Sequence, residues 1–126
     1  MVAIDGIYEL VIKVADIPRA ELFYRELLGL EDGYRDNERD WVFLRCPGGS
    51  GMVVLQKERC EIRQQHFAFR VGRKEFVRAT ALLKDRRLIS EGPVFHEWIP
   101  ANSVYFRDPD GHEVEFCAPG AQIAVG

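Results

Sequence analysis

The sequence predicts an α+β fold made of two tandem βαβββ units, about residues 6–57 and 65–118, within one domain spanning 1–126. Three observations carry this. First, the chain repeats itself. Glu9-Leu10-Val11-Ile12-Lys13-Val14 matches His66-Phe67-Ala68-Phe69-Arg70-Val71, and Trp41-Val42-Phe43-Leu44-Arg45-Cys46-Pro47-Gly48-Gly49 matches Ser103-Val104-Tyr105-Phe106-Arg107-Asp108-Pro109-Asp110-Gly111. Val54-Leu55 then matches Glu115-Phe116, so three blocks recur in one order. Second, the matched blocks alternate at period two, the mark of strands with one covered face. Third, each strand pair closes on a Pro- and Gly-bearing stretch, where proline presets φ and glycine takes the conformations other residues refuse.

The elements follow in order. A first strand is expected over 7–14 and its repeat over 65–71. Asp16 is a candidate N-cap with Pro18 in the first turn, and Ala20, Phe23, Tyr24, Leu27 and Leu28 recur at helical spacing until Gly29 stops the helix. The second helix, roughly 73–86, carries Phe76, Ala79, Leu82 and Leu83 on its apolar stripe, with Gly92-Pro93 beyond its end. Weak strands are expected at 31–36 and 93–98, then firmer ones at 41–46 and 103–107, and last ones at 51–57 and 112–117. Residues 58–64 join the copies, and the small-residue tail from Pro119 to Gly126 is expected to fray.

Composition narrows the function classes. With 47% hydrophobic and 29% charged residues the chain has ordinary globular content. A net charge of −3 and a pI near 5.6 provide no basic field for a nucleic-acid backbone. No apolar run approaches the ~20 residues that span a bilayer, and no signal peptide is evident, so no membrane partner is expected. Cys46, Cys60 and Cys117 form an odd set without CxxC spacing, which suggests neither a disulfide framework nor a thiolate zinc site and points to a cytoplasmic location.

Alternation places Leu10, Ile12, Val14, Val42, Leu44, Val53, Leu55, Phe67, Phe69, Val71, Val104, Phe106, Val114 and Phe116 on faces the helices cover. The opposite faces carry Glu9, Trp41, Phe43, Arg45, Val54, His66, Arg70, Ser103, Tyr105, Arg107, Glu113, Glu115 and Cys117. Aromatics mixed with Glu, His and Arg suit a cavity lining, while a twisted sheet with a few amphipathic residues in water remains the alternative.

Val14-Ala15-Asp16, Phe23-Tyr24-Arg25-Glu26-Leu27-Leu28-Gly29-Leu30 and Val104-Tyr105-Phe106-Arg107-Asp108-Pro109-Asp110-Gly111-His112-Glu113-Val114-Glu115-Phe116 resemble the vicinal oxygen chelate superfamily. That superfamily includes glyoxalase I, extradiol dioxygenases, fosfomycin-modifying thiol transferases and bleomycin-sequestering proteins. The resemblance covers roughly residues 6–118. It implies a U-shaped mixed sheet with the site on the concave face, within one chain or across a homodimer. It also implies metal ligands at Glu9, His66 and Glu115, three positions that alternation independently assigns to the open faces. Imidazole with carboxylates suits Mn²⁺, Fe²⁺, Ni²⁺ or Zn²⁺, which would chelate two neighbouring oxygens of a small-molecule substrate and stabilise an oxyanion.

On this resemblance Glu115 and Tyr105 are the catalytic candidates, and Trp41, Phe43, Arg45, Ser103 and Arg107 the substrate-binding ones. Relatives most often carry His where this chain has Glu9, which disfavours ring-cleaving oxygenase chemistry. Val54 replaces a bacterial glyoxalase carboxylate and Val11 a fosfomycin-site threonine, whereas Ser103 matches a serine of the latter. Glu9 could equally pair with Lys13 or Arg70, and Trp41, Phe43 and Tyr105 could simply pack across strands. His112 reads as a turn residue, His96 as a second-choice pocket residue, and Cys117 as a thiol without a visible base. Three functions stay open: a metal-dependent isomerase, lyase or thiol transferase, a metal-free antibiotic-sequestering binder, or an interaction domain with an exposed apolar patch.

Overall fold

The computed structural model describes residues 1–124. Its elements run β1 (Glu9–Val14), α1 (Ile17–Leu22), a π-helical turn (Phe23–Leu27), β2 (Glu31–Asp36), β3 (Trp41–Arg45), β4 (Met52–Lys57), β5 (His66–Arg70), α2 (Arg73–Asp85), β6 (Ile89–His96), β7 (Ala101–Arg107) and β8 (Glu113–Pro119). The βαβββ order therefore occurs twice, as the repeat requires. The chain divides into two compact units, the first spanning Met1–Arg63 and the second beginning at Gln64. Both sheets are wired alike, β1-β4-β3-β2 and β5-β8-β7-β6, with the first strand of each unit parallel to its last and the other pairs antiparallel.

In the first unit Ile12, Val14, Val42, Leu44, Val53 and Leu55 are buried along the covered face, with Ala20 and Tyr24 buried on the helical side. The Asp16 side chain accepts from the Arg19 N–H at 3.0 Å, and Pro18 stands in the first turn, as the N-cap pattern predicts. The helix widens into a π turn after Leu22, which the 3.6-residue periodicity did not foresee. Gly29, with φ +69°, ends it, and the Leu30 N–H donates back to the Tyr24 carbonyl at 3.1 Å. Glu21 then ties α1 to β2, accepting from Arg35 at 2.6 Å, while Arg25 bridges Glu21 and Asp32 at 3.4 and 3.3 Å. Charge along this outer strand leaves little for another sheet edge to pair with.

The second unit departs from expectation in three places. The strand placed at 93–98 runs instead over Ile89–His96, with Gly92 and Pro93 inside it. β6 is an edge strand, and its register shifts between Ile89 and Glu91 and again between Glu91 and Val94, irregularities that accept a proline. On α2 the buried stripe is Phe76, Thr80 and Leu83, while Leu82 is 38% exposed. The spacing i, i+4, i+7 rotates the face past Leu82 onto a threonine that apolar counting overlooks.

Third, the tail is pinned rather than frayed. Buried Asn102 donates to the carbonyls of Ala118 and Ala121 and accepts from the Ile123 N–H at 2.8 Å. Arg73 donates to the Ala121 carbonyl as well. Val125 and Gly126 lie outside the described residues. Among those described, no helix is long and apolar enough to cross a membrane.

Candidate functional site

The open face of the second unit is built by register. β5 and β8 run parallel with His66 beside Glu113 and Ala68 beside Glu115. β7 and β8 run antiparallel with Tyr105 opposite Glu115 and Ser103 opposite Cys117. Residues paired in this way point to one side, so His66, Glu113, Glu115, Cys117, Ser103, Tyr105 and Arg107 share a face, as alternation requires.

Within it His66 and Glu115 meet. His66 Nε2 lies 2.9 Å from Glu115 Oε1, and the Ser103 hydroxyl donates to Glu115 Oε2 at 2.6 Å. Both oxygens of this carboxylate are thus directed, one by a serine that is itself fully buried. The other ring nitrogen, His66 Nδ1, lies 3.4 Å from Glu113 Oε2. A carboxylate behind an imidazole fixes the ring's tautomer and orientation. Sequence reasoning placed Glu113 on this face without giving it a role; the parallel register that brings it beside His66 was the missing signal.

Tyr105, 8% exposed, stands edge-on to His66 with ring centroids 5.9 Å apart, and its hydroxyl shares a 3.1 Å hydrogen bond with His96 Nε2. Burial pushes the Tyr105 phenol above its ordinary pKa, and Glu115, Glu91 and Glu113 push the same way, against a hydrogen bond from Ser103. Tyr105 therefore serves this face as a neutral hydroxyl. Arg107 is exposed and donates to the Gly111 carbonyl at 3.1 Å, so its guanidinium also braces the hairpin turn.

His112 is more than a turn residue. It is fully buried, its Nδ1 accepts from the Gln65 N–H at 3.0 Å, and its own N–H donates to Asp108 at 2.8 Å. The Asp108–Gly111 turn is thereby clamped to the start of β5, next to His66.

In the first unit Glu9 is exposed at the start of β1, on the face shared by Met52, Val54, Trp41 and Phe43. Lys13, one of its candidate charge partners, donates to Gln56 at 2.7 Å. Trp41 lies under the Arg39 guanidinium at 5.4 Å, and Phe43 packs on Tyr34 at 5.7 Å, so these aromatics have partners of their own; Arg45 is exposed. Val54 is buried at 1% exposure and offers no donor atom.

The donor set can be tested against a cation. Among the described residues, no three His, Cys, Asp or Glu side chains form a cluster able to hold a metal ion. His66 and Glu115 supply two donors of the right chemistry side by side, an imidazole nitrogen and a carboxylate oxygen, which meet each other directly at 2.9 Å.

A duplicated βαβββ chain with a His–carboxylate pair on an open sheet face defines the class. Residues 6–116 match the Glyoxalase/Bleomycin resistance protein/Dioxygenase superfamily, and the chain belongs to it. Among solved structures it is similar to an integron cassette protein from the mobile metagenome of the Halifax Harbour sewage outfall, at 44% identity and TM-score 0.84, covering 91% of this chain and 99% of that one. Similarity extends to the lactoylglutathione lyase of Agrobacterium tumefaciens, at 27% identity and TM-score 0.73 over 90% and 93% of the two chains. A Vibrio cholerae integron cassette protein follows at 26% identity and TM-score 0.74 over 95% and 99%. No curated protein matches the sequence.

Proposed function

We propose that this protein is a divalent-metal enzyme acting on a small oxygenated molecule, an isomerase, lyase or thiol transferase, with the ion held by His66, Glu115 and Glu9. The observation that carries the reading is the meeting of His66 and Glu115 on the open face, with Ser103 donating to the same carboxylate and Glu113 beside the imidazole. Imidazole with carboxylates suits Mn²⁺, Fe²⁺, Ni²⁺ or Zn²⁺. When bound, such an ion polarises two neighbouring substrate oxygens and stabilises the developing oxyanion. To ligate through Nε2, His66 would carry its proton on Nδ1, which faces Glu113 Oε2 at 3.4 Å. Ser103 keeps the Glu115 carboxylate turned toward the imidazole, and Tyr105 offers a neutral hydroxyl beside it.

Glu9 enters as third ligand on the family resemblance alone, and Trp41, Phe43, Arg45 and Arg107 enter as substrate contacts on the same ground. The reading also takes the protein as a cytoplasmic homodimer with a small-molecule ligand and neither nucleic acid nor membrane as partner. Light scattering at micromolar protein that returned 14.5 kDa would refute the dimer.

Elemental analysis of untagged protein purified without chelator is the deciding experiment. About one equivalent of a transition ion, lost in Glu115→Gln and His66→Ala, supports the enzyme. A wild type that neither carries nor takes up such an ion refutes it in favour of a sequestering binder. That second reading has its own support in the half-buried Trp41 and Phe43 flanking the Val54 position, where β4 offers no carboxylate.

A further inference from the structure

His96 lies at the end of the edge strand β6, half-buried, with its ring 5.7 Å from that of Trp98. Its Nε2 meets the Tyr105 hydroxyl at 3.1 Å. The Tyr105 ring stands edge-on to His66 with centroids 5.9 Å apart, and Tyr105 lies opposite Glu115 across the β7–β8 pair. His66 Nε2 in turn meets Glu115 Oε1 at 2.9 Å. The His96–Tyr105 bond therefore holds the ring that packs against the pair.

We propose that His96 is a positioning residue which, through Tyr105, fixes the orientation of the His66–Glu115 pair. The inference rests on reading that pair as the site, but its geometry needs no bound ion. Without the His96 bond the phenol hydroxyl loses this partner, and the edge contact of the ring to His66 loses its anchor.

Two measurements test this. In metal-free protein, imidazole ¹H–¹⁵N correlations report His66 directly, since the chain has only 3 histidines and single substitutions assign them. His96→Phe keeps a ring against Trp98 and removes the hydrogen-bonding nitrogen, so it should shift the His66 ring signals. His96→Gln, whose amide can donate or accept in the same place, should leave them near their wild-type positions. Calorimetric titration with Mn²⁺ gives the second readout. His96→Phe should weaken binding about tenfold, the usual cost of losing a group that orients a ligand, and His96→Gln should stay within about threefold of wild type. The His96→Phe/Tyr105→Phe double variant should bind no more weakly than Tyr105→Phe alone.

Unchanged His66 signals in His96→Phe, or additive losses in the double variant, would overturn the proposal. A wild type that binds no Mn²⁺, Fe²⁺, Ni²⁺ or Zn²⁺ removes the metal reading and leaves the imidazole signals to decide on His96. Should His96→Phe fail to fold by circular dichroism, His96→Asn, polar but too short to reach Tyr105, makes the same comparison.

Discussion

His112 offers the sharpest test of how the fold holds the site. It is fully buried and accepts the Gln65 N–H at the residue before His66. Replacing it with Phe keeps a ring in the cavity and deletes the Nδ1 acceptor of the Gln65 N–H. That should cost about 0.5–1.5 kcal/mol. Replacement with Ala adds an unfilled cavity and should bring the loss to about 3–4 kcal/mol. For a chain of this length each kcal/mol corresponds to about 3–5 °C in Tm, so His112→Ala should melt about 10–15 °C lower. Urea titration gives the free energies, and hydrogen exchange of the Gln65 amide locates them. Protection of that amide should fall in both variants by more than that of amides in β3. If His112→Phe were as stable as wild type with Gln65 equally protected, the clamp would be a packing contact and the reasoning would fail.

Three other outcomes follow from the same structure. Gly92→Ala should destabilise by about 2–4 kcal/mol in urea, because φ is +90° there and a Cβ would lie 2.9 Å from the Ser103 carbonyl oxygen; a loss under about 0.5 kcal/mol would contradict the close approach of β6 to β7. Ser103→Ala removes a charge-assisted hydrogen bond worth about 1.5–3 kcal/mol and should weaken Mn²⁺ binding about tenfold, while equal affinity would mean Glu115 needs no bracing. Because burial raises the Tyr105 pKa, the folded chain keeps a proton that the unfolded chain releases near pH 10. That stabilising difference is complete below pH ~10 and disappears as pH rises through the folded value. Wild type should therefore lose stability more steeply than Tyr105→Phe above pH ~10 in paired urea titrations; parallel declines would refute it.

The tandem fold was legible because a period-two pattern repeated in order leaves few other ways to bury Ile12, Val14, Leu44 and Leu55 together with their counterparts Val104, Phe106 and Val114. The His66–Glu115 pairing was legible too, since alternation alone put both residues on one face. What escaped were features decided by backbone irregularity or by a single polar atom. Gly92-Pro93 reads as a break, yet a bulged edge strand absorbs it. The apolar stripe counted through Leu82 passes over Thr80, which helix rotation buries. Glu113 and His96 became site residues through register and hydrogen bonding across strands, neither of which a linear pattern encodes. Asn102 carries no pattern in the sequence, and the residues after β8 have too little apolar content to announce that they are ordered.

The Asn102 carboxamide makes the segment after β8 part of the strand bearing Ser103 and Tyr105. Asn102 is 3% exposed, and two of its three hydrogen bonds go to residues beyond β8. Removing residues 121–124 would strip those two partners and leave buried amide groups facing nothing, one residue from Ser103. Such a cut would act as a remote attenuator of the site, and any label attached by replacing this segment would carry the same penalty.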